Sequence, residues 1–99
     1  MTKMMTTQKQ IMMICDGMKE LLLEKNKRYG DAAIHPRKVF YKGDAKDSIL
    51  VRLNDKVSRI ENNPAPKPRI NDLCDLIGYS VLYLVADGVT KDDILKLID

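Results

Sequence analysis

Apolar residues recur along this chain at steps of three and four and nowhere in strict alternation, so the pattern predicts helices and no strands. After five residues expected to fray, Ile11, Ile14, Cys15, Met18, Leu21 and Leu22 mark one face of a helix from Thr7 to near Asn26. Gly17 inside it costs about 1 kcal/mol relative to alanine, and Gly30 is placed to take a left-handed conformation beyond its end. A second helix is predicted from Asp47, as N-cap, to Asn62, with Ile49, Leu50, Leu53, Val57 and Ile60 as its buried stripe. The prolines of Asn62-Asn63-Pro64-Ala65-Pro66-Lys67-Pro68 stop it. A third helix from Arg69 to Ala86 gathers Ile70, Leu73, Cys74, Ile77, Val81 and Leu84 on one wide face. Beyond Leu76 it is apolar nearly all round, which makes it the expected central helix. Gly88 ends it, and Thr90 to Asp93 reads as a capping box, with aspartate in place of glutamate, that opens a short last helix bearing Ile94, Leu95 and Ile98.

The expected class is therefore all-α, a small bundle of three main helices plus a short C-terminal one, in a single domain over residues 1–99. The connection over 27–46 is long for such a domain. Gly30, Pro36 and Gly43 punctuate it, and Val39-Phe40-Tyr41 is expected to pin it to the core. Connections of this length are either functional or packed surface loops.

Composition narrows the classes. A chain of 99 residues buries one modest core, so homo-oligomerisation would help its stability, the more so with a third helix apolar around most of its circumference. A net charge of +3 suits an anionic ligand slightly but is too small to argue for nucleic-acid binding through bulk charge. Cys15 and Cys74 fall among apolar residues and read as two buried free thiols; with one histidine and no close cysteine pair, zinc is not expected. Neither a signal peptide nor a membrane span is visible, so the expected location is the cytoplasm.

The polar positions carry the candidate chemistry. Asp72 and Asp75 stand one helical turn apart, a spacing at which two carboxylates can share a hard cation such as magnesium, whose shell often includes phosphate oxygens. Asp55 on the preceding helix can supply a third carboxylate if the two helices pack antiparallel, with Arg52, Lys56 and Arg59 close by to meet phosphate. The competing account is structural: Asp72 and Asp75 complement a helix dipole, and Asp55 forms ordinary intrahelical pairs with Arg52 and Arg59. Asp72, Asp75 and Tyr79 share one face of their helix. Lys25, Lys27, Arg28, Tyr29 and Gly30 gather cations, an aromatic ring and a turn, a set able to hold phosphates and stack a base or simply to solvate a helix end. His35, followed by Pro36, has no evident carboxylate partner.

Three blocks in order, Lys25-Asn26-x-x-Tyr29-Gly30-Asp31, Val51-Arg52-Leu53-Asn54-Asp55-Lys56-Val57-Ser58-Arg59-Ile60 and Asn71-Asp72-Leu73-x-Asp75-Leu76-Ile77-Gly78-Tyr79, resemble the nucleotide-modification-associated domain of phages and prophages. That family resembles in turn the MazG-like all-α nucleoside triphosphate pyrophosphatases, which pair two acidic helices around magnesium. The resemblance implies a nucleotide ligand and a metal held by Asp55, Asp72 and Asp75, which would also be the catalytic carboxylates. Lys27, Tyr29, Arg52, Lys56, Arg59 and Tyr79 would bind the nucleotide. In the pyrophosphatases the first helix carries a Glu-x-x-Glu pair, whereas this chain has Arg52-x-x-Asp55, so three carboxylates stand where four are usual and Asp31 or Glu24 is left to fill the gap. Hydrolysis needs an activated water held in place, so the missing ligand weighs against catalysis more than against binding.

The expectation is thus a phage-type nucleotide-binding protein, with magnesium-dependent pyrophosphohydrolysis as its reaction if it is an enzyme. The alternative is a non-enzymatic phage protein that sequesters a host nucleotide signal or inhibits a host defence protein, in the host cytoplasm. A nucleic-acid accessory is a third and weaker reading, which would show a steep dependence on salt.

Overall fold

The computed structural model describes residues 6–35 and 43–98. It holds four helices, α1 (Thr7–Arg28), α2 (Ala45–Glu61), α3 (Ile70–Ala86) and α4 (Lys91–Leu95), and no described residue lies in a strand. The chain is all-α with three main helices and a short C-terminal one, the class its periodicity predicts. The Val39-Phe40-Tyr41 run and Pro36 lie outside the described residues. No helix among those described is long and apolar enough to cross a membrane. The chain divides into two compact units, Met1–Gly30 and Asp31–Asp99.

The first unit is built on α1. Thr6 caps it from an extended conformation, its hydroxyl accepting from the Lys9 N–H at 3.2 Å. The helix runs two residues past its expected end, to Arg28, and its last turn gathers Lys25, Lys27 and Arg28, where positive charge opposes the dipole. Gly30 follows at φ +61°, the left-handed conformation its position called for. The predicted stripe is only partly covered. Met18 and Leu22 are half-buried, whereas Ile11, Ile14, Leu21 and Cys15 are exposed, so Cys15 is not the buried thiol expected. A lone helix has no second element within its own unit against which to bury a stripe.

The second unit opens on a turn. Asp31 adopts φ +65°, and its carbonyl accepts from the N–H groups of Ile34 at 3.2 Å and His35 at 2.9 Å. The same turn gives His35 a carboxylate neighbour that its sequence context hid, Asp31 Oδ2 at 3.5 Å from Nε2. The N-cap of α2 is Asp44 rather than Asp47: Asp44 is extended and its Oδ1 accepts from the Asp47 N–H at 2.9 Å. The helix gains Ala45 and Lys46, both good helix formers, and leaves Asp47 as negative charge in the first turn. Past α2, Asn63 holds the proline-rich connection, accepting from the Ala65 N–H at 3.1 Å and donating to the Lys67 carbonyl at 3.2 Å. The end of α3 is closed by Gly88 at φ +75°, with its N–H on the Val85 carbonyl and the Val89 N–H on that of Leu84, a Schellman arrangement. The predicted capping box at α4 is present with both its bonds, Asp93 N–H to Thr90 Oγ1 at 3.1 Å and Thr90 N–H to Asp93 Oδ2 at 2.9 Å.

Helices α2 and α3 pack against each other and run antiparallel. Lys46 at the start of α2 reaches Asp87 after the end of α3 at 3.4 Å, and Lys56 further along α2 reaches Asp75 nearer the start of α3 at 3.1 Å. Ile49, at 2% exposure, is the one buried hydrophobic side chain among the described residues.

Two of these contacts move proton affinities. Asp87 accepts from Lys46 and raises the lysine above its ordinary value, so this pair stabilises fully below the unfolded lysine value and fades as pH rises through the raised one. The Asp93 carboxyl is held below its ordinary value, first by the Thr90 backbone N–H and then by the Thr90 hydroxyl. Its contribution is present above the unfolded aspartate value and is lost as pH falls through the lowered one. NMR titration of the full chain should therefore place the Asp93 midpoint below that of an unstructured aspartate, and Thr90→Ala should move it part of the way back.

Candidate functional site

Two interleaved series of residues run along α3. Asp72, Asp75, Tyr79, Leu82 and Ala86, at steps of three and four, are buried or half-buried. Ile70, Leu73, Ile77, Val81 and Leu84, at similar steps, are exposed. With 3.6 residues per turn the two series lie on roughly opposite sides of the helix. The wide apolar face expected to make α3 the central helix is therefore turned outward, and the acidic face meets α2.

The cause is visible on α2. Its inner line reads Ile49, Leu53, Lys56, Ile60, with a lysine in an otherwise apolar row. Lys56 is only 9% exposed, and an ammonium there must find an anion or lose its charge. Asp75 supplies it: Oδ2 lies 3.1 Å from Lys56 Nζ, with 30% of the aspartate side chain still exposed. Lys56, predicted to meet a phosphate, instead ties the two helices together. The signal for this was its spacing, seven residues from Ile49 and four from Ile60.

Asp72 enters the same interface on different terms. It is 4% exposed, and among the described residues no buried side-chain polar atom lacks a hydrogen-bond partner. It stands in the first turn of α3, whose N-cap, Arg69, makes no side-chain capping bond, and a helix dipole returns about 0.3–1 kcal/mol to a carboxylate at this end. Tyr79, half-buried two turns further on, lies on the same side of α3.

The remaining candidates lie elsewhere. Arg52, Asp55 and Arg59 share one flank of α2, as their spacing predicts, and all three are exposed. Arg59 Nε is 3.6 Å from Asp55 Oδ2, an ordinary surface pair. Lys27 and Tyr29 belong to the first unit, at the end of α1, with Tyr29 exposed. Of the two residues left to supply a fourth carboxylate, Glu24 also belongs to the first unit and binds Arg28 at 2.9 Å, and Asp31 sits in the turn beside His35.

Among the described residues no three histidine, cysteine, aspartate or glutamate side chains gather closely enough to hold a metal ion. Of the three carboxylates expected to share magnesium, Asp55 is answered by Arg59 and Asp75 by Lys56. Asp72, the third of them, is the most buried, at 4% exposure.

Compared with protein-family models, curated proteins and solved structures, the chain matches none.

The two ion pairs should respond differently to mutation. Asp55→Asn removes an exposed pair and is expected to change unfolding free energy by no more than about 0.5 kcal/mol. Lys56→Met keeps the buried stem but takes the ammonium away from Asp75, and should cost about 2 kcal/mol, below the range for a fully buried pair because Asp75 keeps some solvent. Urea denaturation of the two variants measures the contrast.

Proposed function

We propose that the protein binds a nucleotide or nucleotide-like phosphate compound beside the α2–α3 interface, with Asp72 as the anchor. The observation that carries this reading is the position of Asp72, 4% exposed in the first turn of α3 and one turn before Asp75 on the side that meets α2. A carboxylate repels phosphate, so the ligand would arrive with magnesium. Asp72, aided by Asp75 one turn on, would hold the ion, and phosphate oxygens and water would complete its shell. Arg52 and Arg59 are the cations on the α2 flank suited to phosphate, since guanidinium groups can meet it bidentately. Tyr79 is the ring suited to a base or sugar.

Binding without fast turnover is the better-supported form of this proposal. Arg52 stands where a fourth carboxylate is usual in the pyrophosphatases, and Asp75 is already paired with Lys56. If the ligand is cleaved, the reaction would be hydrolysis of a nucleoside triphosphate to monophosphate and pyrophosphate.

Isothermal titration of the full chain with a panel of nucleoside triphosphates, with magnesium and with the metal chelated, tests the reading. Magnesium-dependent binding is expected, and Asp72→Asn should weaken it at least tenfold, a loss of about 1.4 kcal/mol. A fall in melting temperature with ligand binding unchanged would make Asp72 a helix-stabilising charge and overturn the proposal.

A further inference from the structure

Lys56 already holds the place that a metal ion at Asp75 would need. Its ammonium lies 3.1 Å from Asp75 Oδ2, and Asp75 keeps part of its side chain open to solvent. Asp72 stands one turn earlier on the same side of α3. A divalent cation and an ammonium do not share one carboxylate oxygen, because like charges a few ångströms apart repel, the more so where water is scarce. Magnesium accepts as few as one or two protein carboxylates when water and phosphate oxygens fill the rest of its shell. Asp72 and Asp75 are enough for it only once the Lys56 ammonium has moved away.

We propose, on the ligand reading above, that Lys56 is an internal counter-cation that makes the site selective for metal and phosphate arriving together. Each arriving alone meets an obstacle that the structure supplies. A metal ion alone would take Asp75 from Lys56, and the lysine is buried, so its ammonium would be left without an anion. A phosphate alone would face the carboxylates of Asp72 and Asp75. Metal and phosphate together exchange one ion pair for two: the metal replaces the ammonium at Asp75, and the ammonium turns to the phosphate. Lysine suits this exchange because its compact charge sits on a flexible four-carbon stem. The stem keeps its place on the inner line of α2 between Leu53 and Ile60 while the head group swings. Free magnesium is thereby kept from filling the site, and the two halves of the ligand strengthen each other's binding, reciprocally, as linkage requires.

The test uses the full chain and manganese as the metal probe. In isothermal titration with manganese alone, Lys56→Met should bind about tenfold more tightly than the unchanged chain, a typical size for coupling between two sites. Asp72→Asn added to Lys56→Met should remove that binding. Since Lys56→Met can weaken the fold, a second measurement keeps Lys56 in place. Trace acetic anhydride labels exposed lysines, and peptide mass spectrometry reads the extent at Lys56. Saturating manganese should raise Lys56 labelling severalfold in the unchanged chain and leave it unmoved in Asp72→Asn. Inorganic triphosphate added with the manganese should bring the labelling down again, because the ammonium then has an anion. Equal manganese affinity with and without Lys56, or Lys56 labelling that manganese does not move, would overturn the exchange while leaving the ligand reading in place. Binding by none of these chains, of manganese alone or of nucleoside triphosphates with manganese, would overturn the ligand reading and the exchange with it.

Discussion

Lys56 occupies the inner line of α2 between Leu53 and Ile60, and an ammonium in that position has to meet a carboxylate. Much of the second unit follows from this demand. Helix α3 must present its acidic side, so Asp75 comes to 3.1 Å of the lysine. Asp72, one turn earlier on the same series, is carried into the interface with it. The apolar series on the far side of α3, which would otherwise make the core, is turned outward. One placed charge thus sets the rotation of a helix, the burial of a second acid and the exposure of an apolar row.

This is not the arrangement that stability alone would choose. A partly buried ion pair returns little net free energy once desolvation is counted, and apolar residues of similar volume often do as well or better. Isolated, the hairpin is therefore poorly covered: its inner face holds charge and its outer face holds leucine, isoleucine and valine. The two proposals above concern the inner face, where the metal and the phosphate of one ligand would take over the two halves of the Lys56–Asp75 pair.

The local features of the fold are legible in the sequence because their causes are local. Gly30 and Gly88 end helices through positive φ, Thr90 and Asp93 form their box within four residues, and Arg52, Asp55 and Arg59 share a flank because helix geometry alone puts them there. The face of α3 that packs inward was not legible from hydrophobicity. Two series with steps of three and four coexist in one helix, and the more apolar one is the natural choice for a core. What decides between them is a lysine 19 residues before Asp75, across the proline connection, and its influence appears only when the two helices are seen together. The N-cap of α2 shows the same on a smaller scale: Asp44 and Asp47 are both good caps, and Asp44 takes the role because Ala45 and Lys46 extend the helix back to it. The grouping of Asp72, Asp75 and Tyr79 on one side was visible in their spacing; that this side would be the inner one was not.

The Lys56–Asp75 contact sets which face of α3 is buried. A double-mutant cycle on unfolding free energy, with Lys56→Met, Asp75→Asn and the two combined, isolates that contact from the packing of either side chain alone. A coupling above about 1 kcal/mol is expected, beyond the range of exposed pairs. A coupling of a few tenths of a kcal/mol would place the pair among ordinary surface contacts and contradict the idea that it sets the rotation of α3.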